Sequence, residues 1–526
     1  MKKILFILFV LSVGLKISAQ QKIFNYALGG SNFSSQDVTQ QSNTIEKILI
    51  QNNVIWLASS KGLSKSTDTG NTWTNYYNSN DFKKENVSFV AFGLNAIWAS
   101  TWHYEFKAGS NVPVGTGLRY SSDQGQTWAA LPQPVDNPGD SSIVYGINKI
   151  RALPVTVPEQ NFIYDIAFTK NTIWIAAFAG GLRKSTDMGK TWQRIILPPD
   201  NLNSIKPADT LKFSLQPIAG NFGKESYLNH RVFSILTIDD NTIYVGTAGG
   251  INKSIDGGIS WTKFNHINQA KPISGNFVLS LEKNDFDNSI WAGTWKAEGN
   301  TEYWGVSCSK DGGQSWDTFL TDERALDFGF KYFGQQGNYL SADIFVAAQN
   351  GLFRSSNNGL TWISAPEIID DSKNVSLTTK HFRSVKVNKS GDGSYDIWMG
   401  TLNGLAKLNE TSGFWNGKWK VFLASKSLSG SNESYAFPNP FSPNREIVRI
   451  KYSTNQPSNI SLRILDFGMN LVKTVVQNAL RSASDNHFEI WDGKDESGKY
   501  VPNGVYFYRI DTSGGTAMYG KIMVMQ

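Results

Sequence analysis

One eight-residue pattern recurs six times along this chain and constrains its fold more than any other feature. The first copy runs from Ser66 to Trp73, and the shared pattern is S-x-D-x-G-x-T/S-W. An aspartate two residues before a glycine, between two strand-like runs, is typical of a hairpin turn, because the carboxylate accepts backbone N–H groups and glycine takes a positive φ. The pattern therefore predicts six similar turns, each followed by a tryptophan that packs between sheets. The other copies occupy residues 121–128, 185–192, 254–261, 309–316 and 355–362.

The third position of the pattern is predicted to have a structural role in the turn. A calcium loop needs several oxygen ligands at short, regular spacing, whereas each copy of the pattern offers a single carboxylate or amide at this position. The sixth copy carries an amide there and keeps the rest of the pattern. Because the histidines are scattered and none pairs with a cysteine or glutamate at ligand spacing, we expect no metal site. The residues at the third position are Asp68, Asp123, Asp187, Asp256, Asp311 and Asn357.

A second block, an isoleucine followed by an aromatic or hydrophobic residue and small residues, precedes each copy of the pattern and is typical of a buried strand. Each unit also begins with its own apolar run, so each unit holds four strands in chain order. Four antiparallel strands repeated every 45 to 70 residues or so are the unit of a β-propeller. We predict an all-β fold with a seven-bladed β-propeller over residues 20–424, and leave open whether Gln21 to Asn43 cap or close the ring. The blocks are Ile55–Ala58, Ile97–Ser100, Ile173–Ala176, Ile243–Gly246, Ile290–Gly293, Ile344–Ala347 and, without a following pattern, Ile397–Gly400.

The first nineteen residues are predicted to be a secretory signal peptide. Two lysines precede an apolar run that ends in small residues before Gln20. The net charge of +6 includes three lysines of this leader, and the remainder is too small to indicate a nucleic-acid partner. No other stretch is long and apolar enough to span a membrane. Cys308 is the single cysteine, so no intrachain disulfide forms, and no nucleotide or dinucleotide fingerprint predicts a cofactor.

The last hundred residues differ in composition from the repeats. Residues 425–434 are small and polar, which is typical of a linker. Short alternating strands separated by turn-rich pieces then predict a small β-sandwich over residues 435–526. The predicted strands cover residues 447–452, 460–466, 488–491, 505–510 and 520–525.

Both parts of the chain resemble known families. The eight-residue pattern resembles the Asp box, or bacterial neuraminidase repeat, of β-propeller proteins. The segments Phe437–Pro443, Ile490–Gly493, Asn503–Tyr508 and Lys521–Val524 resemble the Ig-like domain of the flagellar hook-capping protein and the related C-terminal sorting domain of type IX secretion cargo. With a signal peptide and a propeller in the same chain, we favour the sorting domain over an accessory Ig module.

The sorting resemblance implies that the outer-membrane secretion machinery is a partner. It also implies a secreted or outer cell-surface location after export to the periplasm. Cargo of this class often ends in a basic residue after the last strand, whereas this chain ends Met525-Gln526, which leaves open whether the domain is cleaved.

The candidate binding face lies opposite the repeated turns, by analogy with Asp-box enzymes. Units two and five alone share the sequence T-W-x-x-E after the aromatic strand, at Thr101–Glu105 and Thr294–Glu298. Exposed aromatic rings beside a carboxylate suit stacking on a sugar ring or anchoring a protein partner. The alternative is that these are longer hairpins whose tryptophans shield the edge of a blade. The candidate ligand-binding residues are Trp102, Tyr104, Trp295, Tyr303 and Trp304.

Catalytic candidates are weaker. Asp165 and Asp327 recur at one position of the first strand, in a polar column with Ser234, Ser280 and Ser384, and could form an acid pair for glycoside hydrolysis. Hydrogen bonding near the narrow axis explains the same column more simply. The carboxylates of Glu105 and Glu298 in the T-W-x-x-E loops are the other catalytic candidates.

Three classes of function follow from these observations, and binding of a glycan or a surface protein is favoured. A glycoside hydrolase of sialidase or xyloglucanase type is the first alternative, although the F/Y-R-I-P start of sialidases is missing and Arg151–Pro154 is a poor substitute. An extracytoplasmic sensor is the second, because Ile397–Leu405 resembles the repeats of two-component regulator propellers. Those sensors continue into a membrane span and a signalling domain, which this sequence does not show.

Overall fold

The computed structural model describes residues 39–215, 228–297, 299–370, 375–377, 379–425, 428, 433–443, 447–513 and 515–525. These residues belong to one compact unit, Gln36–Gln526. The predicted signal peptide and most of the predicted linker lie outside the described residues.

Seven antiparallel sheets in the described chain share one topology, in which four strands are paired in the order in which they occur. Sheet 4 gains a fifth strand, Ser204–Ile205, beside its last one. The strands of sheets 1 to 3 are Ile45–Gln51, Val54–Ser59, Gly62–Ser66 and Thr74–Asn75; Asn86–Gly93, Ala96–Lys107, Ser110–Ser121 and Ala129–Leu131; and Ile163–Thr169, Thr172–Ala177, Gly181–Ser185 and Gln193–Arg194. Those of sheets 4 and 5 are Val232–Thr237, Ile243–Thr247, Gly250–Ser254 and Trp261–Phe264; and Phe277–Lys283, Ile290–Trp295, Gly305–Ser309 and Asp317–Phe319. Those of sheets 6 and 7 are Ala325–Gln335, Asn338–Ala348, Gly351–Ser355 and Ile363–Ser364; and Phe382–Lys389, Tyr395–Thr401, Gly404–Glu410 and Gly417–Phe422.

The sheets pack face to face around a common axis. The first strand of each sheet contacts the first strand of the next, and the first strand of sheet 7 contacts that of sheet 1. The second strand of each sheet is covered on both faces by its neighbours, so the predicted aromatic block is buried throughout; Trp56, Trp98 and Trp398, for example, are at most 1% exposed. The prediction of an all-β fold built from four-stranded units is confirmed.

The first strands share a β-bulge close to the axis. Each strand carries one extra residue near its start, after the first register pair in sheets 1, 3, 4, 6 and 7 and after the second pair in sheets 2 and 5. The predicted polar column directly follows these bulges, and Lys47 of sheet 1, which the sequence did not single out, occupies the equivalent position. A bulge re-aims the side chains beside it. The extra residues are Glu46, Ser88, Tyr164, Phe233, Leu279, Leu326 and Arg383.

The segment before the first strand joins sheet 7 to sheet 1. The backbone of Asn43 accepts the N–H of Gly404 at 2.7 Å, and its side-chain oxygen accepts the N–H of Ala424 at 2.6 Å. The side-chain amide of Gln40 donates to the carbonyl of Phe422 at 2.8 Å. Of the segment Gln21 to Asn43, residues 21–38 lie outside the described residues, and residues 40–43 bond to sheet 7 directly before the first strand of sheet 1.

The repeated eight-residue pattern forms the turn between the third and fourth strands of sheets 1 to 6. In the first copy, Asp68 accepts the N–H of Thr72 at 2.9 Å and the hydroxyls of Ser66 and Thr72 at 2.9 and 2.5 Å. In the sixth copy, Asn357 accepts the hydroxyl of Ser355 at 3.0 Å and the N–H of Thr361 at 2.9 Å. The amide therefore keeps two of the three acceptor bonds of the carboxylate, and its N–H donates to the hydroxyl of Thr361 at 2.9 Å, which reverses the third bond.

Further elements lie between the seven sheets in the chain. The strands Ser142–Tyr145, Asn148–Ala152 and Ser214–Leu215 form a small three-stranded sheet. A 3₁₀ turn at Leu228–His230 precedes the first strand of sheet 4. The strands Ile368–Asp370 and Val375–Leu377 form a hairpin beside the last strand of sheet 7.

The C-terminal residues form two further sheets around a separate core that includes Trp491 and Tyr452. The guanidinium of Arg449 donates to Asn403 of sheet 7, which ties the two parts of the chain together. No helix of the described residues is long and apolar enough to cross a membrane. The sheets contain, in spatial order, Ser434–Phe437, Val448–Thr454 and Ser484–Trp491; and Leu471–Arg481, Ser458–Leu465, Gly504–Thr512 and Met518–Val524.

Candidate functional site

The second and third strands of sheet 2 form a long hairpin, Ala96–Lys107 with Ser110–Ser121, on the face opposite the repeated turns. Side chains alternate along a strand, so Trp102, Tyr104 and Phe106 share one side of this hairpin. Tyr104 is 59% exposed and Phe106 is 75% exposed. Phe106 was missed in the sequence, although its period-two spacing from the two predicted residues was a usable signal.

A row of six aromatic rings runs from this hairpin towards the axis, and we call it the aromatic row. The ring of Tyr104 lies 4.8 Å from that of Trp102, which stacks on Phe162 of sheet 3 at 4.9 Å. The row begins at an exposed ring and ends among half-buried and buried rings at the start of sheets 3, 4 and 5. The next three steps, Phe162 to Tyr164, Tyr164 to Phe233 and Phe233 to Phe277, are 4.3, 5.1 and 4.5 Å.

The other side of the hairpin is charged and ion-paired. His103 lies between Glu85 and Glu105, with N···O distances of 2.9 and 3.1 Å. A protonated imidazole donates from both ring nitrogens, so this arrangement favours the charged form of His103. Burial opposes that charge, but the bonds to Glu85 and Glu105 raise the pKa of His103 above its usual value. Because Glu85 directly precedes the first strand of sheet 2, this bond anchors the hairpin to the ring.

The catalytic candidate Glu105 belongs to the same charged network. Its carboxylate pairs with Lys107 at 2.8 Å, and Lys107 also pairs with Glu159. The bonds from Lys107 and His103 lower the pKa of Glu105. A general acid needs a raised pKa, whereas this environment lowers the pKa of Glu105. Glu105 is therefore better suited to pairing with Lys107 and His103 than to donating a proton.

The second predicted loop, in sheet 5, is packed rather than open. The indole of Trp295 donates to the carbonyl of Ala325 at 2.8 Å. The guanidinium of Arg324 lies 5.6 Å from the Trp295 ring and 4.3 Å from the Trp304 ring. Tyr303 packs edge-on against His266 at 6.2 Å. All three aromatic candidates of this loop are half-buried.

Glu302 organises that loop and was not anticipated. It is buried, and its carboxylate accepts the backbone N–H groups of Asn276 at 2.9 Å, Ala297 at 2.8 Å and Gly299 at 3.1 Å. The predicted carboxylate, Glu298, lies outside the described residues. The repeat of T-W-x-x-E directed attention to Glu298, and no local signal distinguished Glu302 from a surface residue.

Trp102 and Trp295 occupy equivalent places, because each follows the threonine of the shared pattern and packs on the start of the next sheet. Trp295 ends its strand, whereas the strand of Trp102 continues to Lys107. The indole N–H of Trp102 is buried and has no hydrogen-bond acceptor among the described residues. Both tryptophans pack against the next sheet, and their role in ligand binding stays a prediction. The exposed rings of the hairpin are those of Tyr104 and Phe106.

The acid candidates at the axis are both bonded to a neighbouring sheet. The two oxygens of Asp165 accept the N–H groups of Ile166 at 2.7 Å and of Ile235, in sheet 4, at 2.8 Å. Burial raises the pKa of Asp165 to about 7, against the opposing effects of Lys47 and of these N–H bonds.

Asp327 lies in a charged cluster that we call the axial cluster, made of Lys47, Glu282, Asp327 and Lys386. Its carboxylate pairs with Lys47 at 2.8 Å and with Lys386 at 3.3 Å. Lys386 also pairs with Glu282 at 2.9 Å. The second oxygen of Asp327 accepts the hydroxyl of Ser384 at 2.6 Å. The cluster joins sheets 1, 5, 6 and 7.

Comparisons with known proteins support the fold and do not identify a family. No family model and no curated protein matches this chain. The crystal structure of an ancestral GH74 enzyme is similar, with 15% identity and a TM-score of 0.52 over 94% of this chain and 64% of that chain. This chain thus spans less than two thirds of that protein. The similarity shows a β-propeller fold.

Two further solved structures match at lower scores. PorZ is described as an essential bacterial surface component of the type-IX secretion system of Porphyromonas gingivalis; it matches with 13% identity and a TM-score of 0.37, over 90% of this chain and 64% of that chain. The extracellular domain of a putative one component system, BT4673 from B. thetaiotaomicron, matches with 11% identity and a TM-score of 0.29, over 92% of this chain and 81% of that chain.

Proposed function

We propose that this protein is a secreted or cell-surface β-propeller of seven blades that binds a glycan or a surface protein through the sheet 2 hairpin. The observation that carries the proposal is the exposure of Tyr104, at the outer end of the aromatic row, and of Phe106, on the same side of the hairpin. Aromatic rings supply apolar area at low conformational cost, and they stack on the apolar face of a sugar or anchor a protein partner.

Rigidity of the hairpin supports a binding role. The charged side of the hairpin is held by His103, Glu105 and Lys107, and its aromatic side rests on Phe162. A surface that is ordered before binding loses less entropy when the ligand arrives. Binding is favoured over hydrolysis because the carboxylates of Asp165 and Asp327 already bond to neighbouring sheets.

The seven-bladed ring is supported by the seven sheets, by the cyclic contacts of their first strands and by the bonds of residues 40–43 to sheet 7. We assign the repeated turns a structural role within it. Hydrogen bonds from Thr191 and Ser185 lower the pKa of Asp187 to about 2, so the turn holds an ionised acceptor. The glycine of each turn packs on the preceding sheet; a Cβ on Gly70, for instance, would lie 2.9 Å from Trp398.

A binding experiment tests the hairpin. We expect the full chain to bind a component of a glycan array or of a cell-surface protein array. Replacing Tyr104 and Phe106 together by alanine should weaken that binding at least about tenfold, since two exposed anchors are removed. Tyr519→Ala is the matched control, because Tyr519 is 56% exposed on the C-terminal part of the chain. Equal affinity of the double variant and the control would assign the hairpin a structural role only.

We further propose that residues 435–526 form an Ig-like domain that directs export across the outer membrane. Two sheets around one core, with Trp491 and Tyr452 buried, support a sandwich. Deleting residues 435–526 should leave a folded propeller in the periplasm and abolish surface display, measured by protease shaving of intact cells and by fractionation. Surface display that persists after the deletion would reject the sorting role and leave an accessory module.

A further inference from the structure

A cavity of about 830 Å³ opens on the face of the repeated turns, where the first strands of sheets 2, 3 and 4 end. It forms because the first and second strands of sheets 2 and 3 are joined by two-residue turns, Leu94-Asn95 and Lys170-Asn171, next to the longer turn Ile238–Thr242 of sheet 4. Its volume lies within the range of small-ligand sites, about 300–1,000 Å³. This face lies opposite the candidate binding face that the sequence predicted.

The floor of the cavity is apolar and fixed in place. Phe92, Phe168 and Ile238 line it, and all three are half-buried. The ring of Phe168 lies over the backbone of Gly93, where a Cβ would be 2.1 Å from the ring. The carbonyl of Gly93 also accepts the indole N–H of Trp98 at 3.1 Å. The ring of Phe168 therefore has a defined position before any ligand binds.

The rim of the cavity carries two carboxylates that the backbone orients. Asp240 accepts the N–H of Lys170 at 2.6 Å through one oxygen. Asp239 accepts the N–H groups of Asn241 at 2.8 Å and Thr242 at 2.7 Å, and these bonds lower its pKa. With Lys170 as the one basic side chain in the lining, the rim has a net charge of minus one.

We propose that this cavity binds a basic, apolar peptide segment of a partner protein. An aromatic or aliphatic side chain fills the floor beside Phe168, and a neighbouring arginine or lysine pairs with Asp239 and Asp240. Apolar burial supplies the affinity, and the carboxylates select a cationic segment over a neutral or acidic one. The site lies on the face opposite the hairpin, so it is separate from the proposed binding of a glycan or surface protein and does not depend on it.

The direct test uses a small probe with a matched neutral partner. N-acetyl-Phe-Arg-amide is titrated into the full chain and followed by calorimetry, and the same peptide with citrulline in place of arginine serves as the uncharged isostere. We expect saturable one-to-one binding of the arginine peptide, with the citrulline peptide at least about tenfold weaker, as expected for the loss of a charge-assisted contact. Equal affinity for the two peptides, or no saturable binding of either, would overturn the proposal.

Variants of the protein locate the site. The double substitution Asp239→Asn with Asp240→Asn should weaken the arginine peptide at least about tenfold and leave the citrulline peptide unchanged. Asp392→Asn is the matched control, because Asp392 accepts the N–H of Ser394 in the corresponding turn of sheet 7. Leu94→Lys adds a cation to the cavity without touching those turn bonds, and it should weaken the arginine peptide as well. A loss of equal size in Asp392→Asn, or none in Leu94→Lys, would contradict this location.

Discussion

Replacing Arg354 by methionine is expected to lower the free energy of unfolding by about 3–5 kcal/mol, because the substitution strands buried carboxylates without their cation. Arg354 is 1% exposed. Its guanidinium donates to Asp343 of sheet 6 at 3.0 Å and to Glu410 of sheet 7 at 2.6 Å. Glu410 also pairs with Lys331 at 2.6 Å, so two cations and two carboxylates balance inside the protein.

Loss of the cation would spread into the seam between sheets 6 and 7. Burial opposes ionisation of Glu410, but the bonds from Arg354 and Lys331 lower its pKa. Without Arg354, the buried carboxylate of Glu410 pairs with one cation, Lys331, instead of two. The same carboxylate accepts the N–H of Trp415 at 2.8 Å, and the guanidinium lies 4.2 Å from the ring of Phe414. The loop that carries these two aromatic residues therefore depends on the ion pair as well.

Unfolding of the full chain in guanidinium chloride, followed by tryptophan fluorescence, measures the change in the free energy of unfolding. Lys271→Met is the control, because Lys271 and Asp317 form an exposed pair at 3.8 Å whose loss should cost less than about 1 kcal/mol. A change of equal size in the two variants would mean that burial of the Arg354 network does not matter to stability.

The sequence predicted the elements that repeat and missed the contacts that the ring creates. The aromatic blocks and the eight-residue pattern are local, because strand alternation and turn chemistry act over a few residues, and both were recognised. Lys47 and Asp327 are separated by 280 residues and meet only because sheets 1 and 6 come together in the fold. No local pattern marks such a pair.

The same division between local patterns and long-range contacts applies to the candidate site on the sheet 2 hairpin. The T-W-x-x-E repeat led to Tyr104 through a local pattern. The bond between His103 and Glu85 depends on how far the hairpin of sheet 2 extends, which the sequence did not indicate. The cavity above Phe168 depends on the relative lengths of turns in three neighbouring sheets, so it is a property of the assembled ring and of no single repeat.

Asp327→Asn is expected to be the second most damaging substitution, at about 3–5 kcal/mol, because it removes the anion between two lysines at the axis. Asp327 is 1% exposed, and its carboxylate bonds to Lys47, Lys386 and Ser384. Burial opposes its charge, but the positive charges of Lys386 and Lys47 lower its pKa overall. The asparagine keeps the shape of the side chain and loses the charge, so the variant isolates the electrostatic contribution.

The pH dependence of stability separates the two axial aspartates. A carboxyl with a lowered pKa stabilises the folded state above its unfolded pKa of about 4, and this contribution is lost as the pH falls through the folded value. The difference between wild type and Asp327→Asn should therefore be largest at neutral pH and shrink below pH 4 or so. Asp165, with its pKa raised to about 7, has the opposite sign: wild type loses stability as the pH rises towards 7, and Asp165→Asn gains relative to it.

Unfolding curves of wild type, Asp327→Asn and Asp165→Asn across this pH range provide the measurement. If both aspartates serve the ring, the two variants should diverge from wild type in opposite directions as the pH rises. Parallel pH profiles for the two variants would show that the axial lysines do not hold Asp327 in its charged form. Loss of glycan turnover in both variants at unchanged stability would instead favour a catalytic role for the pair.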